Sequence, residues 1–279
     1  MAGDPGSPSL KFLGTAGARF AVSTQLRHSG GLIWRLGEAT LWVDPGPGAL
    51  VRALASRPRV EPRKVDALLV SHRHLDHSGD ATAVLEAMTE GGRARRGTLL
   101  APRDALEVEP VVQRYAQVFA ARRVVLEEGG EVELAPGLTL SVPVHHHHGV
   151  ETYGYRLRSR ELTVAHVTDT LWMDALPGAY RDVDVLVVNA TRLKGGDPSL
   201  LHLGWDDAER LLRAVRPRAA ILTHFGVPVI RSAPEDRARE ISERTGVPAL
   251  AARDGMHLAL DDLDGLRVRA EAQRSRPSR

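Results

Sequence analysis

Three imidazoles and two carboxylates fall within one short stretch, Ser71-His72-Arg73-His74-Leu75-Asp76-His77-Ser78-Gly79-Asp80. Side chains alternate along an extended loop, so His72 and His74 project to one side and can close on a single divalent ion. Asp76 and His77 are adjacent and diverge, which suits a second ion beside the first. Two neighbouring ions would make this a hydrolytic centre.

Other candidates are spread along the chain. The run His145-His146-His147-His148 can complete the first ion with one member, or with two on alternate sides. Its remaining members would then be outer partners or solvent-exposed. Asp169 follows the apolar run ending at Val167, where a carboxylate can bridge two ions; taken alone, such an Asp is more often a turn or cap residue. His224 ends the run Ile221-Leu222-Thr223. His202 precedes a helix starting near Trp205 and is a candidate proton donor to a leaving group. Asp76 and His202 are the candidate catalytic groups. Asp44 could orient a ligand histidine.

The elements that must position these groups are short. Ala67-Leu68-Leu69-Val70 reads as a buried strand ahead of the histidines, and Ala81, Val84, Leu85 and Met88 mark one helix face behind them. Residues 11–14, 32–36, 41–43, 98–101, 124–126, 138–144, 152–157, 161–167, 183–188, 219–223, 248–251 and 257–260 carry strand patterns. The spacing predicts helices over 50–55, 102–119, 208–215 and 234–244. Four apolar strands thus end in His or Asp, at one edge of a sheet assembly. Strands come in runs with helices interspersed, which indicates an α/β fold of two sheets faced by helices. The divisions expected are a flexible lead-in over 1–9, one domain over 10–265 and a basic flexible tail over 266–279.

Composition narrows the chemistry. The chain has 279 residues and no cysteine, so disulfides and thiolate ligands are excluded and any metal must be held by His and carboxylate. No apolar run approaches a membrane span, and the Gly- and Pro-rich start lacks a signal-peptide pattern, so a cytoplasmic location and no membrane partner are expected. The net charge of +2 is mild. The Arg-rich end at 267–279 reads as a solvated terminus rather than a phosphate-binding tail.

His72-Arg73-His74-Leu75-Asp76-His77 matches the HxHxDH signature of the metallo-β-lactamase superfamily, and the later strand-end His, Asp and His follow in the same order. Tyr153-Gly154-Tyr155-Arg156 and Ile221-Leu222-Thr223-His224-Phe225 resemble its ribonuclease Z and cyclic-phosphodiesterase branch. In that branch the third histidine ligand lies six residues before the glycine of the GY pair, which favours His148 over His146. The resemblance implies an αββα sandwich with two divalent ions, commonly zinc, with manganese or iron also suited. It implies one ion on His72, His74 and His148, the other on Asp76, His77 and His224, Asp169 bridging, and a hydroxide between the ions as nucleophile. His202 matches the position associated with leaving-group protonation.

Asn189 stands where branch members often carry Glu. The Gly91-Gly92-Arg93-Ala94-Arg95-Arg96 stretch is too short for the tRNA-gripping arm of ribonuclease Z. A small or nucleotide-like phosphodiester is therefore the expected substrate, ahead of nucleic acid. Alternatives are a lactone or thioester on the same metals, tRNA 3' processing, or a scaffold that binds metal or RNA without catalysis. A homo-oligomer is compatible with all of these.

Overall fold

A computed structural model describes residues 7–266. Two seven-stranded sheets pack face to face. The first is built from β1 (Ser9–Phe12), β2 (Leu32–Leu36), β3 (Ala39–Val43), β4 (Ala67–Leu69), β5 (Thr98–Pro102) and β6 (Arg122–Leu126). The second follows with β7 (Glu131–Ala135), β8 (Leu138–Ser141), β9 (Tyr155–Arg158), β10 (Thr163–Val167), β11 (Val185–Asn189), β12 (Ala219–Thr223) and β13 (Ala249–Ala251). β14 (His257–Ala259) returns to the first sheet and pairs antiparallel with β1.

Each sheet has an antiparallel part and a parallel part. β3 to β6 run parallel in the first, and β10 to β13 run parallel in the second. The parallel strands read as near-continuous Val, Leu, Ile and Ala because both of their faces are covered. Phe12, Trp34, Leu69, Tyr155, Val187 and Ile221 meet between the sheets. On the outer face of the first sheet, Leu68 is buried under α2 (Ala49–Ala55) and α4 (Ala81–Thr89), with Val84, Leu85 and Met88 of α4 in the same cluster. On the outer face of the second, Leu186 and Leu222 are buried under α7 (Trp205–Val215) and α9 (Pro234–Thr245), with Leu211 of α7 and Ile241 of α9 in the same cluster. The result is the αββα sandwich.

Several expectations need correction. The helix predicted over 102–119 breaks into a π-helical turn at Asp104–Val108 and a short α5 (Arg114–Gln117), because Pro110 cannot continue a helix. The strand predicted over 138–144 stops at Ser141, and the strand predicted over 152–157 is Tyr155–Arg158. β1 begins at Ser9, inside the predicted lead-in. Apart from Leu266, the predicted tail lies outside the described residues. Asp76 and His77 lie on a short helical turn, α3 (Leu75–Ser78), rather than in an extended loop. α1 (Ala18–Thr24) was not expected.

Candidate metal centre

The C-terminal ends of the parallel strands of both sheets open on one edge, where ligands collect in such folds. β4 delivers His72 and His74, the loop after β8 delivers His148, β10 delivers Asp169 and β12 delivers His224. His74 Nδ1 lies 3.1 Å from both His72 Nε2 and His148 Nε2. His77 Nε2 lies 2.9 Å from His224 Nε2, and Asp76 Oδ2 stands 3.6 Å from the first and 3.3 Å from the second. Asp169 Oδ2 faces both groups, 3.8 Å from His72 Nε2, 4.0 Å from His148 Nε2 and 3.3 Å from His77 Nε2. His202 Nδ1 is 3.6 Å from the same oxygen. The structure thus brings together His72, His74, Asp76, His77, His148, Asp169, His202 and His224.

The outer partners decide which ring nitrogens are free. The Ser71 hydroxyl donates to Asp44 Oδ2 at 2.7 Å and so accepts from His72 Nδ1 at 3.0 Å, leaving a lone pair on His72 Nε2. His148 Nδ1 donates to the Leu201 carbonyl at 2.9 Å, and His77 Nδ1 donates to Asp44 Oδ2 at 2.9 Å. His224 Nδ1 is engaged by Thr191 Oγ1 at 2.9 Å. The outer nitrogens of these four rings are thus engaged, and the inward ones, free to hold a cation, converge with two carboxylates. Lone pairs packed this closely need a cation. Edges near 3 Å match the roughly 3.3 Å nitrogen separation of a tetrahedral zinc with bonds of about 2.0 Å. The donor set fits divalent metal.

The electrostatics agree. Burial and the neighbouring His77 push the His72 imidazole well below its usual range, and burial beside His148 lowers His74 to about 4. Burial opposes protonation of His77 as well, but Asp76, Asp44 and Asp169 outweigh it and push that pKa well up. A field that draws a proton onto His77 draws a metal ion in its place, with release of that proton. Burial would raise Asp169, yet His224, His202 and His77 hold it well below the carboxylate range.

Local backbone serves this convergence. His224 adopts φ 61° and Asp44 φ 51°, both left-handed, and such positions persist where surrounding contacts enforce them. Gly17 lets the His224 ring approach, since a Cβ there would lie 2.2 Å from its Nδ1. Gly46 allows the Asp76 carbonyl equally close, and Ala18 N–H donates to Asp76 Oδ2 at 3.0 Å. Of the histidine run, His145 and His147 are exposed and His146 is buried. His146 Nδ1 donates to the Asp169 carbonyl at 3.3 Å and its Nε2 accepts from the Tyr180 hydroxyl at 2.7 Å. The run therefore divides into two solvated rings, one packed ring and one facing the centre.

Sequence reasoning missed Ser71, Thr191, Tyr180 and His166 as partners. Asn189 had a signal that went unused: like the other strands, β11 is an apolar run that ends in a polar residue.

A family model described as the beta-lactamase superfamily domain matches residues 40–225. An uncharacterized protein of Methanocaldococcus jannaschii is 32% identical over 89% of this chain and 94% of its own length. A ribonuclease Z of Kineococcus radiotolerans is 34% identical, over 53% of this chain and 46% of its own. A protein of Anaeromyxobacter named as a metal-dependent hydrolase is 27% identical over 80% and 81%.

Among solved structures, the metallo-β-lactamase fold protein YhfI of Bacillus subtilis superposes with a TM-score of 0.73 at 19% identity, over 90% of this chain and 99% of that one. A diphosphatase of the PhnP family gives 0.66 at 22% identity, over 90% and 97%. At these identities the likeness is one of fold. No helix among the described residues is long and apolar enough to cross a membrane. The matched family domain and the near full-length relatives mean that this chain belongs to the metallo-β-lactamase superfamily and is a metal-dependent hydrolase.

Proposed function

We propose that the chain is a dinuclear phosphodiesterase acting on a small or nucleotide-like diester. The observation that carries this reading is Asp169 Oδ2, a buried carboxylate oxygen placed between two groups of ligand atoms. Two bound divalent ions would lower the pKa of water towards neutrality and polarise a phosphoryl oxygen. His72, His74 and His148 would hold one ion and Asp76, His77 and His224 the other, with Asp169 shared.

The chain's own groups do the rest. Asp76 is fixed by the Ala18 N–H, which keeps its second-group oxygen aimed inward. His202 is held at the rim near Asp169 Oδ2, and burial keeps it near 4, so the ring is neutral at pH 7. An anionic diester arriving beside it raises its proton affinity. Having taken up a proton from solvent, it can then deliver that proton to the departing oxygen. The Leu201 carbonyl and Thr191 hydroxyl fix the rings on either side of it.

A PhnP-family diphosphatase shares the fold, and a ribonuclease Z is 34% identical over 53% of this chain, which favours phosphoester chemistry over a lactone or thioester. The stretch 90–97 that would have to carry a tRNA arm is only a turn between α4 and β5.

Bis(p-nitrophenyl) phosphate turnover and metal content, measured on one sample, test the proposal. Metal-dependent turnover with near two ions per chain is expected. Turnover of lactones or thioesters with none on phosphodiesters would overturn the substrate class. A His74→Ala protein with unchanged activity would overturn the site.

A further inference from the structure

We infer that Asn189 and His166 form a positioning arm that decides which oxygen of Asp169 faces the metal groups. This rests on Asp169 being a ligand, not on the substrate. Asn189 Nδ2 donates to Asp169 Oδ1 at 2.9 Å, and Asn189 Oδ1 lies 2.9 Å from His166 Nε2. The amide cannot be reversed, because its oxygen would then meet a carboxylate oxygen at hydrogen-bond distance. His166 Nε2 must therefore carry the proton and donate it to Asn189. The chain of donors runs His166 to Asn189 to Asp169 Oδ1, which also lies 3.2 Å from the outer nitrogen, Nδ1, of His224, and Oδ2 is the oxygen that faces His72, His77 and His148.

Strand geometry builds this arm. His166 pairs with Val187 across β10 and β11, and Asn189 is the last residue of β11, two positions beyond Val187. Alternation puts His166 with Val164, and Asn189 with Val185 and Val187, on the face between the sheets. All three polar residues are at most 3% exposed. His166, Asn189, Asp44, Asp76, His77 and His224 border a cavity of about 30 Å³. Packing alone therefore does not lock these side chains, and the hydrogen bonds have to. His166 Nδ1 is buried with no hydrogen-bond partner, so the ring is held through Nε2.

An amide suits this position better than a carboxylate. Aspartate at 189 would place a second buried negative charge beside Asp169, and two such groups cannot both stay ionised. Asn189 orients the carboxylate without competing for charge.

Zinc affinity, measured by competition with a chromophoric chelator, tests the arm, with melting of the ion-free protein as the control for a merely structural role. Asn189→Leu removes the donor and is expected to weaken zinc binding about 10- to 100-fold. His166→Phe should weaken it less, and His166→Gln should restore it, because the longer amide can still donate to Asn189. In the Asn189→Leu background, His166→Phe should cost nothing further. Wild-type zinc affinity in Asn189→Leu, or additive losses in the double variant, would overturn the arm. If Asn189→Leu does not fold, the two His166 variants decide: equal affinity in His166→Phe and wild type would overturn it. Asp169→Ala separates the two failures. If that variant binds zinc as wild type does, Asp169 is not a ligand; if it does not, an unaffected Asn189→Leu rejects the arm alone.

Discussion

The two ligand groups are built from different materials. His72, His74 and His148 are all imidazoles, and behind them stand neutral partners, the Ser71 hydroxyl and the Leu201 carbonyl. Asp76, His77 and His224 include a carboxylate, and a second carboxylate, Asp44, backs His77. An acidic partner behind a ligand histidine raises the basicity of the ring. The acidic group is therefore suited to retain a cation more tightly than the neutral group.

The largest disturbance of this contrast is to remove what the groups share. Asp169→Ala should lower both metal content and phosphodiester turnover, the latter by more than the roughly 100-fold upper range for an outer partner. His148→Ala and His77→Ala then separate the groups. The first should keep about half of the metal and the second should lose the more tightly held ion, as read by metal analysis after dialysis. Equal losses would erase the distinction. Asp44→Asn, which keeps shape and removes charge, should weaken the retained ion by about 10- to 100-fold, while Ser71→Ala should act mainly on the other.

Acidification probes the rings behind Asp169. Burial holds His146 near 3 and His166 near 4, so both stay neutral in the folded protein. The unfolded chain protonates histidine below about 6.5. Their contribution is thus complete above that pH and is lost as pH falls towards 4. The loss is about 1.4 kcal/mol per pH unit for each ring, measurable as a falling denaturation midpoint. The smallest effect expected is from Tyr180→Phe. It removes the hydroxyl that donates to His146, costs about 1 kcal/mol and lowers Tm by about 3 °C with turnover nearly kept.

Much of this was legible because buried strands announce themselves. Apolar runs ending in His72, Asp169 and His224 locate one sheet edge without any knowledge of topology. Alternation could not say which of His145 to His148 faces inward, since the loop after Ser141 leaves the sheet and the strand register ends there. α1 was hidden because Ala21 is its one buried residue, so it carries no apolar period. Asp104–Val108 was read as ordinary helix because its π turn keeps the apolar residues while changing their spacing. The partners Thr191 and Tyr180 are ordinary residues whose roles come only from the approach of distant segments.

Each ligand group draws on both sheets. His148 reaches across to His74, 74 positions away, and His224 to His77, 147 positions away. A cation in either group is therefore a cross-link between the halves of the sandwich, closing loops of a length that disulfides close elsewhere. In a chain without cysteine, the metal centre is the place where the two sheets can be stapled, and occupancy of the site and cohesion of the fold become one equilibrium.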